Sequence, residues 1–247
     1  MGITRSISPA PRFLPDGTPL RNRLLAALPQ ELYADVATDI RLAKVKIGEI
    51  LLEHGMPVKH VYFPNGGVYS VVNQMRDGAL VEVAAVGFEG MLGVNVLLGD
   101  LLASGRSLQQ VPNGTLPKLP VNVFLKHTAN PGPFRAAVSR YAQANLLQIM
   151  QCNACNVLHR LEQRCCRWLL QTHDRIAADE FLLKHEFLAI MLGTTRPTVT
   201  VVLGALQKKG IIASRYGHIR VLDRKKLERA SCECYAVIAG HFKRLGV

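Results

Sequence analysis

No run of 18 apolar residues occurs in this 247-residue chain, so no transmembrane helix is expected. The opening MGITRSISPAPRFLPDGTP lacks the continuous apolar stretch of a secretory signal. It is rich in Pro, Ser and Gly, and residues 1–20 are expected to form a flexible arm. A cytoplasmic location is the corresponding expectation. Catalytic signatures are also missing. There is no G-x-S-x-G elbow, no phosphate loop, no His-x-His pair and no C-x-x-C-H haem attachment. His54 and His60 stand six residues apart, which is not a metal-binding pair of the cupin kind. These absences weigh against an enzyme and against a catalytic residue or metal. Cysteine is absent from residues 1–151, and all six cysteines follow. In a cytosol they should stay reduced.

The chain is 49% hydrophobic, which is a folded composition, and it is long enough for two domains with a real core. Its net charge of +12 is unevenly spread. Residues 1–130 hold 12 Lys/Arg and 10 Asp/Glu, whereas residues 131–247 hold 18 and 8. A basic excess confined to one half is the electrostatic footprint of a polyanion-binding half. A membrane surface would need an amphipathic helix with an exposed aromatic face, and none is evident.

Texture divides the chain. Residues 21–34 read as a short helical stretch broken by Pro29. From Ile40 to Val123, short β-branched runs recur between glycines, as in HVYFPNGGVYSVV and LVEVAAVG, which indicates a sandwich or barrel. HTANPGP (127–133) has the composition of a linker. Residues 134–173 contain neither Pro nor Gly and predict a long helix, with a break expected near Asn153–Asn156. Two apolar stripes on it, Ala137/Tyr141/Ala144/Leu147 and Ala142/Leu146/Ile149, call for neighbours on both sides. These are its own β-domain and either a second copy of the helix or the core of a monomer.

The most informative segment is HEFLAIMLGTTRPTVTVVLGALQKK (185–209). Two apolar-periodic stretches flank Gly193, which can adopt the positive φ that ends one helix and starts a turn. Ala189 is small enough for a close helix crossing. Val199, Val202, Leu203 and Leu206 follow an i, i+3, i+4, i+7 stripe that faces a core. The opposite face carries Thr195, Arg196, Pro197, Thr198, Thr200 and Val201, near the helix N-terminus that enters a major groove in a helix-turn-helix. An ordinary helical hairpin is the plainer alternative. A hairpin about Tyr216-Gly217 follows, then a last helix expected over residues 224–239 with Asp223 as its N-cap.

This order of elements resembles the CRP/FNR family of bacterial transcription regulators. The motifs that carry the resemblance are GEILLEHG (48–55), VYFPNGGVYSVV (61–72), VEVAAVGFEG (81–90), LAIMLGTTRPTVTVVLGALQKKGII and RYGHIRVLDRKKLE. The resemblance implies an α+β chain with three parts. A cyclic-nucleotide-binding-like β-roll of jelly-roll type spans residues 21–132, a dimerisation helix 133–156, and a winged helix-turn-helix 157–247. It implies a homodimer on palindromic double-stranded DNA, with RNA polymerase as a further partner and a sensory roll that biases a two-state equilibrium. Relatives usually begin the recognition helix Arg-Glu-Thr; this chain reads Arg196-Pro197-Thr198. Arg196 is the candidate for guanine O6/N7 and Val201 for a thymine methyl. Thr195 and Thr198 are the candidates for phosphate, and Arg215, Tyr216 and His218 for wing contacts.

Cyclic-nucleotide-binding relatives place Glu after the glycine that corresponds to Gly93, where this chain has Val94. Arg106-Ser107 matches the phosphate-binding pair, and Glu89 lies on the wrong side of Gly93. Half the ligand clamp is therefore missing, no cyclic nucleotide is expected, and Arg106 is expected at the surface or in a salt bridge. Oxygen-sensing relatives hold an iron–sulfur cluster on N-terminal cysteines, which this chain lacks. Cys152-x-x-Cys155, Cys165-Cys166 and Cys232-x-Cys234 are expected to pack as small hydrophobes, with His159 and His173 as packing or surface residues. A cyclic-nucleotide-responsive regulator and a cysteine-based redox or metal sensor remain the alternatives.

Overall fold

The computed structural model describes residues 11–247. Two short helices, α1 (Arg23–Ala26) and α2 (Gln30–Asp39), precede seven strands: β1 (Arg41–Ala43), β2 (Ile50–Leu52), β3 (His60–Tyr62), β4 (Val68–Gln74), β5 (Leu80–Val86), β6 (Arg106–Val111) and β7 (Leu116–Pro120). They form a four-stranded sheet in the order β2-β6-β4-β5 and a three-stranded sheet in the order β1-β7-β3, antiparallel throughout. The strand texture expected to reach Val123 stops at Pro120, where α3 (Val121–Thr128) begins. Residues 11–20, expected to belong to a loose arm, fold back on the roll. Phe13 bridges Pro19, Leu14 is buried, and the Arg12 guanidinium lies 5.2 Å from the Tyr33 ring centroid. Residues 1–10 of that expected arm lie outside the described residues.

Strand β4 explains why VYSVV reads as an unbroken apolar run. Alternate side chains point to opposite faces. Tyr69 and Val71 enter the roll interior, whereas Val68 and Val72 join the core of the C-terminal half. A strand buried on both faces loses the usual apolar–polar alternation.

Helix α4 (Pro133–Leu158) lies along the roll, with Ala137, Val138, Tyr141, Ala144 and Gln148 buried. Gly90 permits this approach, because a Cβ there would run into the Tyr141 ring. The break expected near Asn153–Asn156 occurs instead at His159–Arg160, where the backbone becomes extended. Asn153 and Asn156 are exposed, so their amides point to solvent and need not compete for the helix backbone.

Helix α5 (Leu161–Ile176) leads to strand β8 (Glu180–Leu182), helices α6 (His185–Leu192) and α7 (Arg196–Lys208), and strands β9 (Ile212–Arg215) and β10 (His218–Val221). The three strands form a sheet in the order β8-β10-β9. Asp223 caps α8 (Arg224–Ala230) by accepting from the Lys226 N–H. The helix expected to continue to residue 239 stops at Ser231. Its hydroxyl donates to the Glu228 carbonyl and its backbone is extended. A separate helix, α9 (Cys234–Leu245), then turns back onto α4 and the roll, burying Ile238 and Phe242 in the roll's core. No single helix among the described residues is long and apolar enough to cross a membrane.

Candidate nucleic-acid interface

The turn between α6 and α7 is built by Gly193. It holds φ 59°, its N–H donates to the Ile190 carbonyl, and the Thr194 N–H reaches back to Ala189 at 2.9 Å. This paired 6→1 and 5→2 bonding is the Schellman ending that a left-handed residue permits. The chain turns through 102° between the two helices, within the range of a helix-turn-helix. Ala189 is buried at the crossing, and Val199, Leu203 and Leu206 are buried along one side of α7.

The opposite side of α7 is open. Thr195, Arg196, Pro197, Thr198, Thr200 and Val201 are all exposed. Pro197 sits in the first helical turn, where the lack of an N–H costs nothing. The Thr195 hydroxyl lies 2.8 Å from that of Thr198 and makes no capping bond, so the first-turn N–H groups of α7 point outward unsatisfied by it. The Arg196 guanidinium rests 3.3 Å from Glu186, both side chains more than half exposed. Such a pair is weak and exchangeable. Thr200 is engaged differently: its hydroxyl donates to the Arg196 carbonyl and meets His185 Nδ1 at 3.0 Å. That makes Thr200 a brace between α6 and α7. Val201 is 73% exposed, leaving a bare apolar group on the open face of α7.

In the wing, Tyr216 has φ 50° and Gly217 φ 77°, a two-residue hairpin with both central residues left-handed. Tyr216 is 86% exposed, and the Arg215 guanidinium lies 4.9 Å from its ring centroid. His218 approaches Glu180 at 3.5 Å, and Arg220 also pairs with Glu180. Glu180, Glu186 and strand β8 were not singled out by sequence reasoning. An acid aligned with a basic side chain across a strand pair becomes visible only once β8 pairs with β10.

The basic excess of the C-terminal half is only partly surface charge. Arg167 and Arg175 are 5% and 6% exposed. Arg224 is committed to Asp174 at 2.7 Å and to Glu228, and Lys209 to Glu162 at 2.6 Å. Arg175 instead ties the two halves together. It pairs with Glu89 at 2.8 Å and donates to the Ala85 carbonyl. A second tie joins Glu82 of β5 to the Trp168 indole N–H (2.9 Å) and to Ser70. Ser70 Oγ is also 3.1 Å from Met191 Sδ of α6. Burial pushes the Glu82 carboxyl up to about 7.

The expected sensor residues are dispersed. Glu89 faces Arg175, Ser107 is buried, and Arg106 binds Glu53 at 3.1 Å. The hydrogen bond from Arg106 holds the Glu53 carboxyl below its ordinary range. The cavity beside Val94, Ser107, Tyr141 and Asn145 measures about 140 Å³. Cys155, Cys165, Cys166, Cys232 and Cys234 are buried, as expected of small hydrophobes. Cys152 receives Arg167, whereas Cys155 faces Cys232.

Residues 163–230 match the model of the Crp-like helix-turn-helix domain. Transcriptional regulator SdrP of Thermus thermophilus is 40% identical over 75 residues, spanning 28% of this chain and 37% of that protein. Among solved structures, FixK2 from Bradyrhizobium japonicum superposes with TM-score 0.65 at 16% identity, covering 78% of this chain and 98% of the other. A CRP-family transcriptional regulator from Thermus thermophilus gives 0.63 at 22% identity, covering 77% and 96%. At these identities the structural likeness is one of fold.

Proposed function

We propose that the chain is a regulator of the CRP/FNR kind, on the strength of its β-roll and the Crp-like helix-turn-helix match over residues 163–230, and that it binds duplex DNA sequence-specifically as a homodimer and regulates transcription. The observation that carries this reading is the open face of α7, with Arg196 and Val201 exposed on a helix whose other side is fully committed to the core. Arg196 reads guanine, Val201 meets a thymine methyl, and the first turn of α7 with Thr195 and Thr198 sits on phosphate. Arg215 and Tyr216 extend the contact through the wing. With Pro197 where relatives carry Glu, the protein cannot accept a hydrogen bond from cytosine at that position. Its operator therefore differs from theirs.

The dimer reading is supported by the outer side of α4. Leu146, Met150, Val157 and Leu158 are 56–78% exposed there, an apolar strip with no partner among the described residues. A dimer packed on this strip would need to set its two α7 helices about one duplex turn, ~34 Å, apart. A cytoplasmic, non-enzymatic protein with RNA polymerase as a further partner follows from the same reading. We propose further that the roll does not take a cyclic nucleotide. Arg106 is held by Glu53, Val94 offers no acceptor for a ribose, and the adjoining cavity of about 140 Å³ is small against the ~300–1,000 Å³ of ligand sites. Calorimetry with cyclic AMP should give no heat of binding; a micromolar isotherm would overturn this part.

Selection sequencing on random duplexes, followed by anisotropy at physiological salt, tests the main reading. A palindromic site should emerge, and R196A should relax one base position per half-site by ~1–3 kcal/mol. Binding without sequence preference would refute the reading.

A further inference from the structure

Four side chains from two distant stretches converge at the junction between α4 and the C-terminal half. Cys155 and His159 come from the end of α4, four residues apart and hence on one face. Cys232 and Cys234 come from the turn between α8 and α9. Their Sγ and ring nitrogen atoms all lie within 4.8 Å of one another. Cys155 Sγ is 3.5 Å from Cys232 Sγ, and Cys234 Sγ is 3.6 Å from His159 Nδ1. From these residues we infer that the chain holds one zinc ion in a closed Cys3His site made by Cys155, His159, Cys232 and Cys234.

The geometry fits that ion. With Zn–S ≈ 2.3 Å and Zn–N ≈ 2.0–2.1 Å, a tetrahedron has S···S edges of ~3.8 Å and S···N edges of ~3.6 Å. The two measured edges depart from these by a few tenths of an ångström or less. A disulfide between Cys155 and Cys232 would instead require ~2.05 Å. The surroundings fit as well. His159 Nε2 is 3.2 Å from the Glu233 carboxylate, which fixes the Nε2–H tautomer and leaves the Nδ1 lone pair facing the thiols. This is the carboxylate–histidine support that zinc ligands usually have. Gln151 donates an N–H to Cys234 Sγ at 3.1 Å. The three cysteines are buried and His159 is partly open, which leaves a way in for the ion. Three sulfurs and one imidazole, with no fourth position left for water, suit a structural zinc rather than a catalytic one. Binding releases the three thiol protons and leaves a site of net charge −1. Its place gives it a role: it clamps the chain where it enters the DNA-binding half, at His159, to the chain where it leaves, at Cys232–Cys234. The inference stands independently of the DNA-binding reading.

Full-length protein purified without chelator should carry about one zinc per chain by elemental analysis. Cobalt substitution should give thiolate charge-transfer and tetrahedral d–d bands. C155S and C232S should lose the metal, whereas C152S, outside the cluster, should keep it. If the cluster variants misfold, alkylation mapping of the wild type replaces them. Cys155, Cys232 and Cys234 should be protected with metal and reactive after chelation, with a lowered Tm. Metal-free protein that takes up neither zinc nor cobalt would overturn the inference. So would a Cys155–Cys232 disulfide found in place of metal, or stoichiometry unchanged in folded C155S and C232S.

Discussion

Replacing Glu82 by Gln is expected to stabilise the protein above pH 7 and to change little at pH 4–5. The carboxyl sits where the roll meets α5 and α6, bonded to Ser70 and Trp168, with Met191 beyond. The Ser70 hydroxyl and the Trp168 N–H each donate to one of the Glu82 oxygens, and Ser70 Oγ also lies against the Met191 sulfur. Desolvation outweighs these hydrogen bonds and the Arg167 and Arg175 charges, raising the group from 4.5 to about 7. Because the folded value is the higher one, the folded chain binds this proton more tightly than the unfolded chain does. The stability it contributes is therefore complete below about pH 4.5 and is lost as pH rises through about 7. At 1.36 kcal/mol per pH unit, that gap corresponds to about 3 kcal/mol. Urea denaturation of wild type and E82Q, at one fixed protein concentration and across pH 4.5–8.5, isolates the effect. The difference between the two should open by that amount in favour of E82Q. A constant difference would refute the reasoning. So would an E82Q destabilised at every pH, which would mean that the two arginines keep Glu82 charged.

Removing Arg175 as R175A leaves Glu89 buried without its partner, and should cost ~3–5 kcal/mol in equilibrium unfolding; a loss under 1 kcal/mol would show the pair to be solvated. Adding a methyl as G90A drives Cβ into Tyr141 and should cost ~1–3 kcal/mol, read as a lower urea midpoint with an unchanged slope. Charging the outer side of α4 as L146E/M150E should give monomers by sedimentation with near-wild-type helicity. A persistent dimer would locate the interface elsewhere.

Helix α7 was legible because its demands are local. Gly193, the Val199/Leu203/Leu206 stripe and Pro197 each act within a few residues of their own position. The wing turn and the Asp223 cap were legible for the same reason. What escaped depended on distant pairing. The short strand β8 has no pattern of its own and exists because β10 lies beside it. The roll's outward contacts were hidden because β4 is apolar on both faces, which reads as core without saying whose. The cysteine spacing was misleading in the same way. Cys152-x-x-Cys155 is the pair that stands out in sequence, yet Cys155 meets residues almost 80 positions later. The Cys-x-x-x-His and Cys-x-Cys spacings were the available signal, and neither is informative until α9 turns back on α4.

The shared core beneath α5 has a consequence for anyone who would cut this protein apart. Val68, Val72, Ala85, Leu108 and Val111 of the roll belong to the same apolar cluster as Leu188, Val199, Leu203 and Ile219 of the helix-turn-helix. The chain has a visible seam at His159–Arg160, but the packing has none there. A C-terminal fragment severed at that seam would expose the α5 surface that Glu82 and Glu89 now cover, and a chimera grafting another regulator's reading half onto this roll would meet an unmatched sheet. To be exchangeable, the reading half must take with it the outward faces of β4, β5 and β6.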